Sequence, residues 1–190
     1  MEDSRRVVAV SEDSIDAFDR KFLEVGDDAV WSVTSAKHGS GVAQLRDNDS
    51  NTFWQSDGNL PHHITIELPR LTPIYVVAVL LNSTNDESYT PRKISIHAGT
   101  HDNDYTEVGS LEVEQPNGWI VVHLLDEAAS EISNGVYVNV QRVWCRHVRV
   151  TVLENHQNGR DTHIRGLRIY SPKFRLPCTT PAFTSHFTLR

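Results

Sequence analysis

Cysteine is scarce in this chain of 190 residues: there are two, Cys145 and Cys178. One possible pair is no disulfide framework, so the fold has to rest on a packed interior. Cys145 follows Trp144 in an apolar stretch and reads as a buried free thiol. Long apolar runs are also missing. The longest, residues 74–81, is too short to cross a bilayer as a helix. No apolar segment follows the early arginines, so no secretory signal is expected, and the chain reads as nuclear or cytoplasmic. The sequons at Asn48 and Asn82 are then chance matches. Basic charge is in deficit. With 18 basic against 25 acidic residues, the net charge is −7 and no basic stripe is available for phosphate contacts, which argues against nucleic acid. Phosphate-binding loops, nucleophile elbows and C-x-x-C or H-E-x-x-H spacings are absent, and nothing marks a nucleophile with its base.

What is present is alternation. Trp31 and Val33, then Ile64, Ile66 and Leu68, then Ile94, Ile96 and Ala98, then Ile120, Val122 and Leu124 repeat with a period of two. Residues 136–140 and 148–152 continue it, and Leu167 with Ile169 closes it. Such runs are half-buried strands, because successive side chains point to opposite faces. Residues 74–81 are apolar throughout and read as a strand covered on both sides. Polar turn clusters separate the strands at 47–52, 82–88, 101–104, 115–118 and 155–162. Helical spacing occurs once, over 11–23, where Ile15, Phe18 and Phe22 fall on one face. The expected fold is all-β, a jelly-roll sandwich with a short N-terminal helix, ending in an extended C-terminal tail after Pro172, Pro177 and Pro181 break the pattern. Three parts follow: an extension over 1–24, a sandwich over 25–172, and a tail over 173–190.

Ten histidines invite a metal, but neither His62-His63 nor His156 and His163 match a zinc spacing, so exposed or hydrogen-bonded imidazoles are favoured. Asp47, Asp49 and Asn51 imitate the start of a calcium loop. Thr52 then stands where glycine is needed and Gly58 where a bidentate glutamate is needed. An Asx-rich turn is favoured, with a calcium loop of another type left open. No metal or cofactor is expected. Phe53-Trp54 could form a stacking platform for sugar, although at least one ring is expected in the core. The most informative segment is Asn155-His156-Gln157-Asn158-Gly159-Arg160-Asp161-Thr162-His163. Amides, imidazoles, a guanidinium and a carboxylate within nine residues can satisfy an extended peptide main chain or sugar hydroxyls. The chemistry says binding loop and leaves the ligand open.

That segment, with Ile164-Arg165 after it, resembles the Doc domain of the anaphase-promoting complex. So do Ala29-Val30-Trp31-Ser32, Gln44-Leu45-Arg46-Asp47, Trp54-Gln55-Ser56-Asp57-Gly58, Pro61-His62, Asp86-Glu87-Ser88-Tyr89-Thr90-Pro91 before Lys93-Ile94-Ser95, and Gly118-Trp119. The resemblance runs from about Val25 to Pro172 and implies a galactose-binding-like jelly roll. It also implies a non-catalytic substrate co-receptor of a ubiquitin ligase. Doc loops and a propeller coactivator hold a destruction-box degron between them, which promotes processive ubiquitination in mitosis. Carried over, the degron-binding positions are Asn155, His156, Gln157, Asn158, Arg160, Asp161 and His163, with Ser88 and Tyr89 as a neighbouring loop. The resemblance further implies a large scaffold subunit as partner and a tail docked in a tetratricopeptide-repeat scaffold. The family tail ends in Ile-Arg where this chain ends in Leu189-Arg190. The competing reading is a carbohydrate-binding module on the same fold.

Overall fold

The computed structural model describes residues 7–10, 12–124, 132–133, 136–137 and 143–173. Elements follow in the order β1 (Val7–Val10), α1 (Glu12–Lys21), β2 (Phe22–Glu24), β3 (Val30–Val33), α2 (Val42–Arg46), β4 (Trp54–Gln55), β5 (His62–Ile74) and β6 (Val76–Asn82). Then come α3 (Ser83–Asp86), β7 (Pro91–Gly99), β8 (Thr106–Glu112), β9 (Asn117–His123), β10 (Ile132–Ser133), β11 (Val136–Tyr137), β12 (Val143–Asn155), β13 (His163–Ile164) and β14 (Gly166–Pro172). Two five-stranded antiparallel sheets face each other. One has the order β1-β9-β6-β14-β2 and the other β3-β5-β12-β7-β8. Two-stranded ladders, β13-β4 and β10-β11, complete it.

The alternation read from sequence is the packing. Ile64, Ile66 and Leu68 of β5, Val148, Val150 and Val152 of β12, and Ile94 and Ile96 of β7 point inward from one sheet. Val77, Val79 and Leu81 of β6, Ile120 and Val122 of β9, and Leu167 and Ile169 of β14 meet them from the other. A second cluster explains why β6 is apolar on both faces. Val76, Ala78 and Leu80 lie with Trp119, Val121 and Tyr170 on the outer face, and Ile15, Phe18 and Phe22 cover them. The segment set apart in sequence as an extension is therefore built into the sandwich. α1 shields the outer face of one sheet, β1 pairs with β9 and β2 pairs with β14.

Several elements differ from the sequence reading. The helix expected over 11–23 stops at Lys21, and Phe22–Glu24 is strand β2; the short elements α2, β4, β10 and β13 carried no readable period. β1 was not expected, because Val7–Val10 is continuously apolar and carries no alternation. β8 was missed because a bulge between its Ile96 and His97 partners shifts its register, which breaks the period of two. The cluster at 82–88 is not a simple turn. Asn82 accepts a hydrogen bond from the Asn85 backbone at 3.0 Å and starts the one-turn helix α3. The strand expected over 136–140 is present at Val136–Tyr137, and its remainder lies outside the described residues.

Connectivity gives the sandwich two distinct ends. At one end, β6 passes through α3 into β7, and β12 passes through residues 156–162 into β13 and β14. At the other, β2 leads to β3, β5 to β6, and the chain leaves after β14 toward residues 174–190.

Candidate functional site

The site is at the first of these ends. After α3 the backbone makes a 3-10 turn over Glu87–Tyr89, and after β12 it makes another over His156–Asn158. The two turns touch. The His156 backbone N–H donates to the Thr90 carbonyl at 2.9 Å. A Cβ placed on Gly159 would lie 1.8 Å from the Ser88 carbonyl oxygen, so only glycine fits there. Gln157 and Asn158 at the tip have φ of 51° and 57°, the left-handed region that asparagine tolerates better than glutamine. Ser88 and Tyr89, some seventy residues earlier in the chain, thus lie beside the 155–163 segment, as the resemblance implied.

The candidate residues divide by what their side chains do. Asn155 is buried. Its Nδ2 donates to the Gly159 and Asp161 carbonyls at 3.2 and 2.9 Å, and its Oδ1 accepts from Thr162 Oγ1 at 3.0 Å. It ties the loop to itself and offers nothing outward. Asp161 is half-buried and pairs with Lys37 at 2.5 Å. The Lys37 hydrogen bond holds the Asp161 carboxyl below its ordinary value, and the same bond raises the lysine. His156 is half-buried. Gln157, Asn158, Arg160 and Tyr89 are exposed.

Beneath them lies a buried base around His163, which the resemblance had placed among the degron-binding positions; its partners Asp86 and Arg165 had been given no role. His163 is stacked between two rings, Phe53 at 4.0 Å and Tyr89 at 4.4 Å between centroids. Its Nδ1 lies 3.1 Å from Asp86 Oδ1. Arg165 grips the same carboxylate at both oxygens, 2.8 Å from Nε and 2.6 Å from Nη2, and its Nη1 donates to the Ser50 carbonyl at 2.7 Å. All three of Asp86, His163 and Arg165 are buried. Burial opposes the charge on Asp86, yet the hydrogen bonds from His163 and Arg165, with the arginine charge, hold its carboxyl below the usual range. The base fixes both chain segments at once: Asp86 ends α3 just before Ser88, and His163 and Arg165 follow the loop.

A second clamp works from the other side. Ser56 Oγ accepts from the Thr162 N–H at 2.8 Å, and the Ser56 N–H donates to the Thr162 carbonyl at 3.0 Å. His62 Nε2 lies 2.8 Å from the Arg160 carbonyl. The motifs at 54–58 and 61–62 therefore shape the loop from beneath. Asp86 and Arg165 stood in the quoted motifs, but nothing in the linear order pairs residues nearly eighty positions apart.

Other expectations have definite placements. Trp54 is fully buried, with its indole N–H on the Ser35 carbonyl at 2.9 Å, and Phe53 has His163 on one face, so the pair is no open sugar platform. Asp47 accepts from the Asp49 N–H and Asp49 from the Asn51 N–H, both at 2.9 Å, which are Asx turns. Cys145 is buried and free, and burial pushes its thiol up to about 12. Leu189, Arg190 and Cys178 lie outside the described residues.

The fold defines a class first: a galactose-binding-like β-sandwich. It superposes on the CBM32-1 and CBM32-2 domains of Clostridium perfringens ZmpB with a TM-score of 0.68 at 13% identity, over 87% of this chain and 40% of that one. It superposes on the family 32 CBM of C. perfringens NanJ, solved with galactose, with a TM-score of 0.61 at 16% identity, over 80% and 98%. At such identities the likeness concerns the fold alone. The sequence is more specific. Residues 3–188 match the model of the family "Anaphase-promoting complex, subunit 10 (APC10)". The chain is 44% identical over 165 residues to anaphase-promoting complex subunit 10 of Dictyostelium discoideum, covering 86% of this chain and 81% of that protein. It is 39% identical over 174 residues to the Homo sapiens subunit 10, covering 88% of each. The chain belongs to the anaphase-promoting complex subunit 10 family. The match takes in most of residues 1–24, which the sequence reading had placed outside the resemblance, and most of the tail, which it had included.

Proposed function

We propose that this chain is the non-catalytic degron co-receptor of an anaphase-promoting complex, working in the nucleus and cytoplasm. The loop end reads a destruction box jointly with a propeller coactivator. Leu189-Arg190 anchors the chain in a tetratricopeptide-repeat scaffold, and the body rests on a large scaffold subunit. The observation that supports this most is convergence: Tyr89, Gln157, Asn158 and Arg160, from two distant chain segments, stand exposed on one surface over the buried Asp86–His163–Arg165 base. Exposed amides and a guanidinium suit the main-chain groups of an extended peptide. A base locked by packing and ion pairing lowers the ordering cost of binding.

The test is replacement of Tyr89, Gln157, Asn158 and Arg160 by alanine in the full complex. The variant should fold and assemble normally, yet make shorter ubiquitin chains on destruction-box substrates. Substrates recruited by other degrons should be little changed. Each lost hydrogen bond is worth roughly 0.5–1.5 kcal/mol, and shared capture with a coactivator multiplies the loss. Unchanged processivity on destruction-box substrates would refute the assignment.

A further inference from the structure

The two sheets have unlike outer faces. That of β1-β9-β6-β14-β2 is apolar and lies under α1. In the other sheet the apolar residues of β5, β7 and β12 point inward, so the residues between them face out. The registers set these in rows. Ser32, Thr65, Arg149, His97 and Glu107 form one row across β3, β5, β12, β7 and β8. His63 and Thr151 pair in the row beside it. Every one of these side chains is polar. His97 is the direct cross-strand neighbour of Arg149, at roughly 4.5–5.5 Å between Cβ atoms, and His63 is its diagonal neighbour at roughly 7–8 Å.

Arg149 is the unusual residue. It is half-buried, its guanidinium lies 4.0 Å from the Tyr105 ring centroid, and its Nε reaches Thr65 Oγ1 at 3.4 Å. The other arginines that are buried or half-buried, Arg46, Arg165 and Arg168, each hold a carboxylate. Among the described residues none pairs with Arg149. The carboxylates on this face are engaged elsewhere: Glu67 with Arg146 at 2.9 Å and Asp102 with His147 at 3.3 Å, and Glu107 is not free either. A second observation concerns buried polar atoms that make no well-formed hydrogen bond. Among the described residues, Thr90 Oγ1, His156 Nε2 and His163 Nε2 belong to the loop end, and the other two are His97 Nδ1 and Tyr105 Oη on this face. Such atoms are nearly always paired, so their gathering around Arg149 marks a place where an outside group completes the bonding. His63 has its Nδ1 on Thr151 Oγ1 at 2.9 Å. Burial, the Arg149 charge and the imidazoles of His62 and His97 hold its basicity below the ordinary value, and no carboxylate relieves them.

We propose that Arg149, His63, His97 and Tyr105 form a binding site for a phosphate monoester, carried on a phosphorylated serine or threonine of another chain. A half-desolvated guanidinium without a counter-ion calls for an anion, and in a chain of net charge −7 this face is a local exception. The kind of anion follows from the donors. A planar carboxylate is satisfied by one guanidinium fork, whereas these donors stand on three strands and the loop before β8. A phosphoryl group brings nearly two charges and three acceptor oxygens, enough to engage the guanidinium, an imidazole and the phenol together. That the phosphate is carried follows from the shape. The donors lie on an open sheet face and enclose a free ion on one side only, while the hydroxyls of Ser32, Thr65 and Thr151 beside them suit the main chain of a carrier. The site is separate from the loop end, and a degron there leaves it open.

The experiment titrates the full-length chain with an end-blocked peptide of one phosphoserine flanked by two glycines on each side, and follows the ring resonances of His63 and His97. Both should shift and saturate, at a concentration roughly tenfold below that needed with inorganic phosphate or with glutamate in place of phosphoserine. Arg149→Gln should weaken the binding roughly tenfold or more. Arg149→Lys should fall between, since it keeps the charge and loses the fork, and it carries the test if the glutamine variant does not fold. Replacing Tyr89, Gln157, Asn158 and Arg160 by alanine should change nothing here. Absence of shifts at His63 and His97 would overturn the proposal, as would equal binding of the unphosphorylated peptide or shifts that persist in Arg149→Gln. Equal affinity for inorganic phosphate would mean an adventitious ion only and would overturn it as well.

Discussion

The two ends of this sandwich solve opposite problems with the same strands. At the loop end, the exposed side chains of the candidate surface are polar apart from the Tyr89 ring, and the rigid parts are buried beneath them: an aspartate shared by an arginine and a histidine, and a histidine packed between two aromatic rings. At the far end Leu71 and Trp144 stand exposed among charged groups such as Arg70 and Asp102, and no buried ion pair of that kind lies beneath them among the described residues; Trp144 is set by its pairing with Pro73. A surface that reads hydrogen-bonding groups must hold its own donors and acceptors still, whereas a surface that sheds water needs only area. Buried ionic structure is therefore expected to matter at one end and not at the other.

The sharpest way to break that contrast is to remove Asp86. In Asp86→Ala the Arg165 charge stays buried without its carboxylate, and destabilisation of roughly 3–5 kcal/mol is expected. For a domain of this size that lowers the melting temperature by about 10 °C, read by calorimetry. A shift of a degree or two would mean the base carries little. The same carboxyl sets a pH dependence. Its value is depressed in the folded chain, so its contribution is complete above the ordinary aspartate value of about 4 and is lost as pH falls through the depressed one. Chemical denaturation between pH 6 and pH 3 should show that loss, and Asp86→Asn should remove this part of the slope.

Next in size is a comparison within the loop itself. Asn155→Ala removes three internal hydrogen bonds and strands buried partners, so about 1–3 kcal/mol of stability is expected to go. Gln157→Ala, at the exposed tip, should change stability by less than about 0.5 kcal/mol while still impairing ubiquitin transfer to destruction-box substrates. Equal stability losses in the two variants would contradict the division into residues that shape the loop and residues that face outward. The smallest effect belongs to the far end: Trp144→Ser should leave the unfolding free energy within about 0.5 kcal/mol of wild type.

That division also marks what the sequence could reveal. The inward registers of β5, β7, β9 and β12 were legible because one face of each is buried and a period of two follows. β6 was recognised as covered on both faces, and the apolar stripe of Ile15, Phe18 and Phe22 was seen, although it runs from α1 into β2. That the second covers the first was not, since linear order carries no record of which surfaces meet. The 155–163 loop stood out by composition, and Ser88 and Tyr89 through the resemblance. Composition could not tell Asn155 from Asn158, because the two amides differ only in where the backbone points them. Asp86 and Arg165 were unassigned, and Phe53 was read as a sugar platform with Trp54, for the same reason: their roles exist only once residues far apart in sequence have been folded against each other.

The central claim is that the loop end, and no other surface, takes the degron. A destruction-box peptide bearing a photoreactive residue, added to the complete complex with its coactivator, tests this directly. Crosslinks on this chain should map to residues 87–90 and 155–163 and disappear when Tyr89, Gln157, Asn158 and Arg160 are replaced by alanine. Crosslinks elsewhere on the sandwich, or crosslinks that persist unchanged in that variant, would contradict the account.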